Sequence, residues 1–269
     1  MILRKLYKLL EKTGPRSLFV RAFTEYALCL YSLLGLGRKP QQRFAIFMQA
    51  RSGSSFFCDL LDQHPKIRCN SELLNQKSQK PLRFLNHVSN YYGKKNPVWG
   101  FKFKSYQVHR QGTIIDDFIK QLLDSDYKII SLTRENSLKM ALSFWIAHLR
   151  GEDYHNIGGQ IERKKVTVDV KELMDSIEYI EIDRERMMKS LENIETLDLG
   201  YEDDLQDPGK AVKCCQKTFG FLGVEPIEVQ SKFRKVSTGR LSDDLENAEE
   251  IYNFIKESKY AHFLEGVSL

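Results

Sequence analysis

Residues 43–55 read Arg-Phe-Ala-Ile-Phe-Met-Gln-Ala-Arg-Ser-Gly-Ser-Ser. The run at 43–49 is apolar and rich in β-forming residues, which is typical of a strand buried on both faces of a sheet. Apolar residues then return at helical spacing over 55–63, so a short Gly/Ser loop joins a strand to a helix. Such a loop directs several backbone N–H groups to one point at the positive end of the helix. The stretch therefore predicts an anion-binding loop in an α/β fold.

The side chains of this loop favour a phosphate-like ligand. Gly53 permits a close approach of the backbone, and Ser54 and Ser55 add hydroxyl donors. Arg51 adds a fixed charge with a planar fork of donors. The loop is not a Walker A motif, because GxxxxGK[ST] is absent and no lysine follows the glycine. The alternative is an ordinary strand-to-helix turn with Ser55 as the N-cap.

Strands and helices alternate along the rest of the chain. Strands are predicted at 43–49, 97–104, 127–133 and 196–201, and helices at 2–12, 16–34, 55–63, 114–123, 136–150, 169–193, 208–221 and 243–259. This alternation predicts an α/β fold, with a P-loop-like parallel β-sheet flanked by helices on both faces. We expect a basic helical segment at 1–40 and one domain at 41–269, which suits a chain of 269 residues.

A second candidate site lies at the end of the strand predicted at 127–133. Arg134 follows this strand, and open α/β sheets bind ligands at the carboxyl ends of their strands. Ser143 lies in the next helix and could converge with Arg134 on a second phosphate. The alternative is a surface arginine beside a helix-face serine. A nucleotide kinase would need magnesium-binding carboxylates, and none is obvious at the end of this strand.

Charge and cysteine content limit the functional classes. The net charge is +5, but residues 1–51 carry ten basic and two acidic residues, so the remainder is slightly acidic. A nucleic-acid binder would more often spread basic charge over its main domain, so no nucleic-acid partner is expected. The basic N-terminal helices either pack on the domain or contact a membrane surface.

The odd number of cysteines, five without CxxC spacing, favours reduced thiols in the cytoplasm. The longest apolar stretch near the start of the chain, 26–37, is too short to span a membrane. No cleaved signal peptide is expected.

Several motifs, taken in their order along the chain, resemble those of sulfotransferases that use 3′-phosphoadenosine 5′-phosphosulfate (PAPS). They are Arg51-Ser52-Gly53-Ser54-Ser55, Asp62-Gln63-His64-Pro65, Arg134 with Ser143, and Tyr201-Glu202-Asp203-Asp204-Leu205 with Phe221-Leu222-Gly223-Val224. The resemblance spans about Phe44 to Phe263. It is nearest to bacterial carbohydrate sulfotransferases of the trehalose and nodulation-factor kind, and some features are shared with tyrosylprotein sulfotransferases.

The resemblance implies a role for each matching residue. The loop Arg51, Ser52, Gly53, Ser54 and Ser55 would hold the 5′-phosphosulfate, and Arg134 with Ser143 would hold the 3′-phosphate. Arg234 and Lys235 match a late Arg-Lys pair near the same phosphate, although Val236 replaces the usual glycine. A sulfuryl group carries less charge than a phosphoryl group, so no metal is expected.

The resemblance does not by itself identify the general base. The histidine that many cytosolic members use as general base is absent from the strand Trp99–Lys104. Glu72 is the candidate base, with Arg51 stabilising the leaving phosphate. Lys102 and Lys104 share one face of that strand and could bind donor or acceptor, or simply face solvent. The expected acceptor is a hydroxyl on a carbohydrate or glycolipid. A phenol and a peptide tyrosine stay open, as does a homodimer.

Two other functions remain open from the sequence. One is a nucleotide kinase-like phosphotransferase, and the other is a non-catalytic phosphoanion-binding protein at a membrane.

Overall fold

The structure, a computed structural model, describes residues 18–151, 164–230 and 240–269. Within these ranges five strands form one sheet: β1 Gln42–Met48, β2 Ile67–Glu72, β3 Val98–Phe103, β4 Tyr127–Thr133 and β5 Thr196–Gly200. Their order across the sheet is β2-β3-β1-β4-β5, and every neighbouring pair is parallel. The predicted fold class, a parallel sheet flanked by helices, is confirmed.

The described helices connect these strands and cover the sheet. They are α1 Leu18–Leu33, α2 Ser54–Asp62, α3 Pro81–Tyr92, α4 Ser105–Arg110, α5 Ile115–Leu123, α6 Ser137–Arg150, α7 Val170–Ser190, α8 Pro208–Leu222, α9 Leu241–Asp244 and α10 Ala248–Lys256. A π-helical turn, Tyr201–Leu205, follows β5, and a 3₁₀ turn, Ala261–Leu264, lies near the end. None of the helices within the described ranges is long and apolar enough to cross a membrane.

The sequence reading needs a few corrections. It did not predict β2, α3 or α4. The single helix predicted at 243–259 is wrong, because Leu245 is extended (φ −118°, ψ 139°) and separates α9 from α10. Leu245 is buried and forms a parallel bridge with Val166, so tertiary contacts interrupt the helix. The helix predicted at 2–12 lies outside the described residues.

The central strand β1 shows how the sheet is buried on both faces. Phe44 and Ile46 belong to one buried apolar cluster, which contains side chains from α2 and α8. Ala45 and Phe47 point the other way, into a cluster that contains side chains from α3 and α5. A continuous apolar strand is therefore required here, and helices cover both faces. Because all strands are parallel, their carboxyl-terminal loops meet at one edge of the sheet.

Candidate functional site

The loop between β1 and α2 is held in an unusual backbone conformation. Arg51 and Gly53 both have positive φ, 64° and 84°, which costs energy for a non-glycine residue such as Arg51. Gly53 is the N-cap of α2, so no side chain caps the first turn of that helix. The Ser55 N-cap alternative is therefore wrong. The first N–H groups of α2 have no partner within the helix, which leaves them able to bind an anion.

Tyr201 explains why position 53 has to be glycine. A Cβ atom added to Gly53 would lie 2.7 Å and 2.9 Å from two ring carbons of Tyr201. The ring belongs to the π-helical turn after β5, and such turns are frequent at functional sites. The loop thus packs directly against a residue that is distant in sequence.

Arg51, Ser143 and Arg134 come together at the carboxyl edge of the sheet. The guanidinium of Arg51 donates from Nε and NH2 to the Ser143 hydroxyl, at 2.8 Å and 2.6 Å. Arg134 donates from NH1 to the backbone carbonyl of Arg51 at 3.0 Å. Residues that the sequence places in two separate candidate sites therefore form one connected group.

Arg134 is a largely buried cation that packs against Tyr201 and Glu202. Its guanidinium carbon lies 4.5 Å from the ring centre of Tyr201, and its Nε lies 3.8 Å from a carboxylate oxygen of Glu202. Among the residues that the structure describes, that buried Nε atom has no hydrogen-bond partner, an unusual state for a guanidinium donor. Burial lowers the pKa of Arg134, while Tyr201 and Glu202 oppose the shift. Arg134 nevertheless lines a large cleft, and its side chain is 16% exposed, so part of the side chain is accessible from the cleft.

Glu202 organises the neighbouring helix terminus. Its carboxylate accepts from the backbone N–H groups of Glu135 and Asn136, at 3.1 Å and 3.4 Å. The side chain of Asn136 caps α6 by accepting from Lys139 N. Glu202 thus occupies the N-terminus of α6 and orders this loop, in the manner of a capping carboxylate.

Lys102 supplies a buried cation beside the loop. It is 4% exposed, and its Nζ donates to the Ser55 hydroxyl at 2.8 Å and lies 3.5 Å from the Ser54 hydroxyl. The same Nζ lies 3.8 Å from Oε1 of Glu72. Lys102 therefore links the anion-binding loop to the candidate base.

Glu72 ends the edge strand β2 and is held from one side. Its Oε2 accepts from Lys104 Nζ at 2.9 Å and from Gln107 Nε2 at 2.7 Å. Burial alone would raise the pKa of Glu72, but Lys104 and Lys102, with the hydrogen bonds from Lys104 and Gln107, hold it below its ordinary value. Glu72 is therefore ionised at neutral pH.

The remaining residues named from the sequence either support the loop and the end of α2 or lie outside the described residues. The Ser52 side chain is buried, and its hydroxyl donates to the carbonyl of Gln49 at 2.8 Å, so it shapes the loop from inside. Arg234 and Lys235 lie outside the described residues. His64 is buried, with Nε2 3.0 Å from the Glu225 carbonyl, and it packs at the end of α2.

These side chains border one large cleft of about 2680 Å³. Its lining includes the following predicted residues: Arg51, Gly53, Ser54, Ser55, Glu72, Lys102, Lys104, Arg134 and Ser143. Several cations thus surround an uncapped helix terminus, with one ionised carboxylate nearby. This arrangement can bind a polyanionic ligand and accept a proton beside it.

Sequence reasoning missed two contributors to this site. Tyr201 had a signal, because it is the last residue of the strand predicted at 196–201 and so lies at the carboxyl edge of the sheet. Gln107 had none, since its hydrogen bond to Glu72 joins residues 35 positions apart.

Known proteins resemble this chain in structure rather than in sequence. No protein-family model matches the sequence, and no curated protein matches it. Among solved structures, the chain is similar to mouse sulfotransferase SULT7A1 complexed with PAP. The sequences are 14% identical, the TM-score is 0.39, and the match covers 88% of this chain and 80% of the mouse chain.

Proposed function

We propose that this protein is a PAPS-dependent sulfotransferase that acts on an acceptor hydroxyl of a carbohydrate or glycolipid. The observation that carries the proposal is the connected group of Arg51, Ser143 and Arg134 around the loop that ends at Gly53. PAPS supplies an activated sulfuryl group and a phosphate leaving group. The carbohydrate acceptor follows from the sequence resemblance.

The residues of the cleft suit a donor with two separate anionic groups. The uncapped N–H groups of α2, with Arg51 and Lys102, would hold the 5′ end of the donor. Arg134, which lines the cleft and is partly exposed, would bind the 3′-phosphate together with Ser143. Arg234 and Lys235 are proposed for the same phosphate.

The cations would do the electrostatic part of the catalysis. Negative charge develops on the bridging oxygen as the leaving phosphate departs. Arg51 is already oriented by Ser143, so it can stabilise this charge with little rearrangement. Lys102, which is buried and bonded to Ser55, adds a second fixed charge at the same loop.

Glu72 would accept the proton of the acceptor hydroxyl. Its two oxygens are not equivalent within the described part of the chain, because Oε2 accepts two short hydrogen bonds while the ion pair of Oε1 with Lys102 is 3.8 Å long. The proton would therefore move to Oε1. Lys104 and Gln107 orient the carboxylate and keep it ionised, which is the state a general base needs.

A transfer assay with labelled PAPS tests this function directly. We would screen glycans, glycolipids and tyrosine peptides as acceptors, and then compare the wild-type rate with that of Arg51→Ala. Removal of one preorganised donor to a developing anion typically lowers kcat by about 10²–10³. Arg186→Ala, which removes an exposed arginine of α7, is the matched control and should leave the rate unchanged.

Two results would contradict the proposal. One is sulfate transfer by Arg51→Ala at the wild-type rate. The other is phosphoryl transfer from Mg-ATP by the wild-type protein, which would favour the kinase-like alternative.

A further inference from the structure

Helix α1 has one buried side and one apolar side that faces outward. On the buried side Thr24 and Leu28 are each 2% exposed, and Leu28 packs in a cluster with Leu85 and Val88 of α3. The outward stripe consists of Phe23, Tyr26, Leu30, Leu33 and Leu34, all exposed. These residues recur at three- and four-residue spacing, so they share one face of the helix.

The most exposed part of this stripe lies at the carboxyl end of α1. Leu33 and Leu34 are 72% and 70% exposed. The chain then turns at Gly35, which has φ 66°, and Leu36 is 44% exposed. Leu36 extends this set of exposed apolar residues, and we call the six residues together the α1 stripe. Large exposed apolar patches mark sites of protein or membrane interaction.

Positively charged residues lie near the carboxyl end of the α1 stripe. Arg38 is exposed, and its backbone N–H donates to the Asn90 carbonyl at 2.9 Å. The backbone at Gly93 packs against Arg38, because a Cβ atom added to Gly93 would lie 1.9 Å from the Arg38 carbonyl oxygen. Lys94 and Lys95 come next in the chain and are exposed, so they lie near Arg38.

Arg83 is a further cation, and it contacts α1 directly. Arg83, also exposed, donates to Cys29 Sγ of α1 at 3.3 Å. The preceding sequence, 1–22, contains six basic residues and one acidic residue.

We propose that the α1 stripe rests on a lipid bilayer that carries anionic phospholipids. The apolar side chains would enter the boundary between headgroups and acyl chains, and the nearby cations would bind lipid phosphates. A second copy of this chain fits less well, because two such surfaces would bring like charges together. The proposal depends on α1 and its neighbours, and it does not depend on the chemistry of the cleft.

Vesicle co-sedimentation with the full chain tests the proposal. We expect binding to phosphatidylcholine–phosphatidylglycerol vesicles, and much weaker binding to phosphatidylcholine alone. Added salt should weaken the binding, since exposed charges are screened. Each cation near the surface contributes about fivefold in affinity, so Arg38→Glu with Lys94→Glu should reduce binding by more than about 25-fold.

A second variant tests the apolar part. Leu33→Ser with Leu34→Ser should lower the vesicle partition coefficient by at least about tenfold. Two controls change matched residues elsewhere: Leu149→Ser with Phe254→Ser removes exposed apolar side chains, and Lys213→Glu with Lys217→Glu reverses exposed charges of α8. Both controls should bind vesicles as the wild type does. Far-UV circular dichroism and the thermal unfolding midpoint would check that each variant is folded.

Three outcomes would overturn the proposal. The wild-type chain could fail to bind the anionic vesicles, as it would if residues 1–17 or another partner covered the stripe. The leucine variant could bind them as the wild type does. Alternatively, sedimentation velocity without lipid could show self-association that the leucine variant loses, which would identify a second copy as the occupant.

Discussion

Gly53→Ala tests the packing that shapes the anion-binding loop. Two costs are expected. The left-handed backbone at φ 84° costs a residue with a Cβ about 1–2 kcal/mol. In addition, the new methyl group would lie 2.7 Å from a Tyr201 ring carbon, against an ordinary contact of about 3.5 Å. The ring must therefore move by roughly 0.8 Å, and overpacking of this kind costs about 1–3 kcal/mol.

Gly112→Ala separates these two costs. Gly112 also has positive φ, 79°, but a Cβ there would meet nothing within 4 Å. The control therefore carries only the backbone cost. In urea denaturation, Gly53→Ala should lose about 1–3 kcal/mol more free energy of unfolding than Gly112→Ala. It should also bind adenosine 3′,5′-bisphosphate more weakly, because the displaced ring lies against Arg134.

A double variant isolates the steric term. If the Tyr201 ring causes the extra loss, Tyr201→Ala should make Gly53→Ala less costly, and the two changes should not be additive. Equal losses for Gly53→Ala and Gly112→Ala, with additive behaviour in the double variant, would refute the reasoning.

Two further predictions concern charged pairs. Glu72→Gln should lower kcat by about 10²–10⁴ with little change in donor affinity. Because the pKa of Glu72 is held below its ordinary value of 4.5, its ion pairs stabilise the fold above that pH and are lost as pH falls through the lower folded pKa. The acid limb of the kcat/KM profile should accordingly lie below 4.5, and a wild-type kcat in Glu72→Gln would contradict the assigned role. Arg150→Met leaves the buried Asp244 carboxylate without its 2.9 Å partner and should lower the free energy of unfolding by about 3–5 kcal/mol. The control Lys259→Ala removes one side of an exposed ion pair and should not change Tm measurably.

The sequence predicts the sheet well where burial is strong. The strands β1, β3 and β4 are mostly apolar and mostly buried, because both faces of the sheet are covered. β2 was missed because it is an edge strand with the sequence Ile-Arg-Cys-Asn-Ser-Glu, of which only part is buried. Its short, polar pattern matches neither a buried strand nor a clean alternation.

The site was predictable only in part, for a related reason. Loop residues such as Arg51 and Gly53 carry a local signal, since their chemistry and their position after a strand indicate an anion site. The contacts that orient them are long-range: Ser143 is 92 positions from Arg51, and Tyr201 meets Gly53 only in the folded chain. Glycine at position 53 was expected for close approach of a ligand, and the structure adds the Tyr201 ring as a second reason.

Donor recognition is the central claim, and calorimetric titration tests it most directly. The wild-type chain would be titrated with adenosine 3′,5′-bisphosphate and, separately, with adenosine 5′-monophosphate, which lacks the 3′-phosphate. Hydrogen bonds from Arg134 and Ser143 to that phosphate should make the bisphosphate bind about 10- to 100-fold more tightly. Equal affinity for the two nucleotides, or tighter binding of Mg-ATP than of the bisphosphate, would contradict the account.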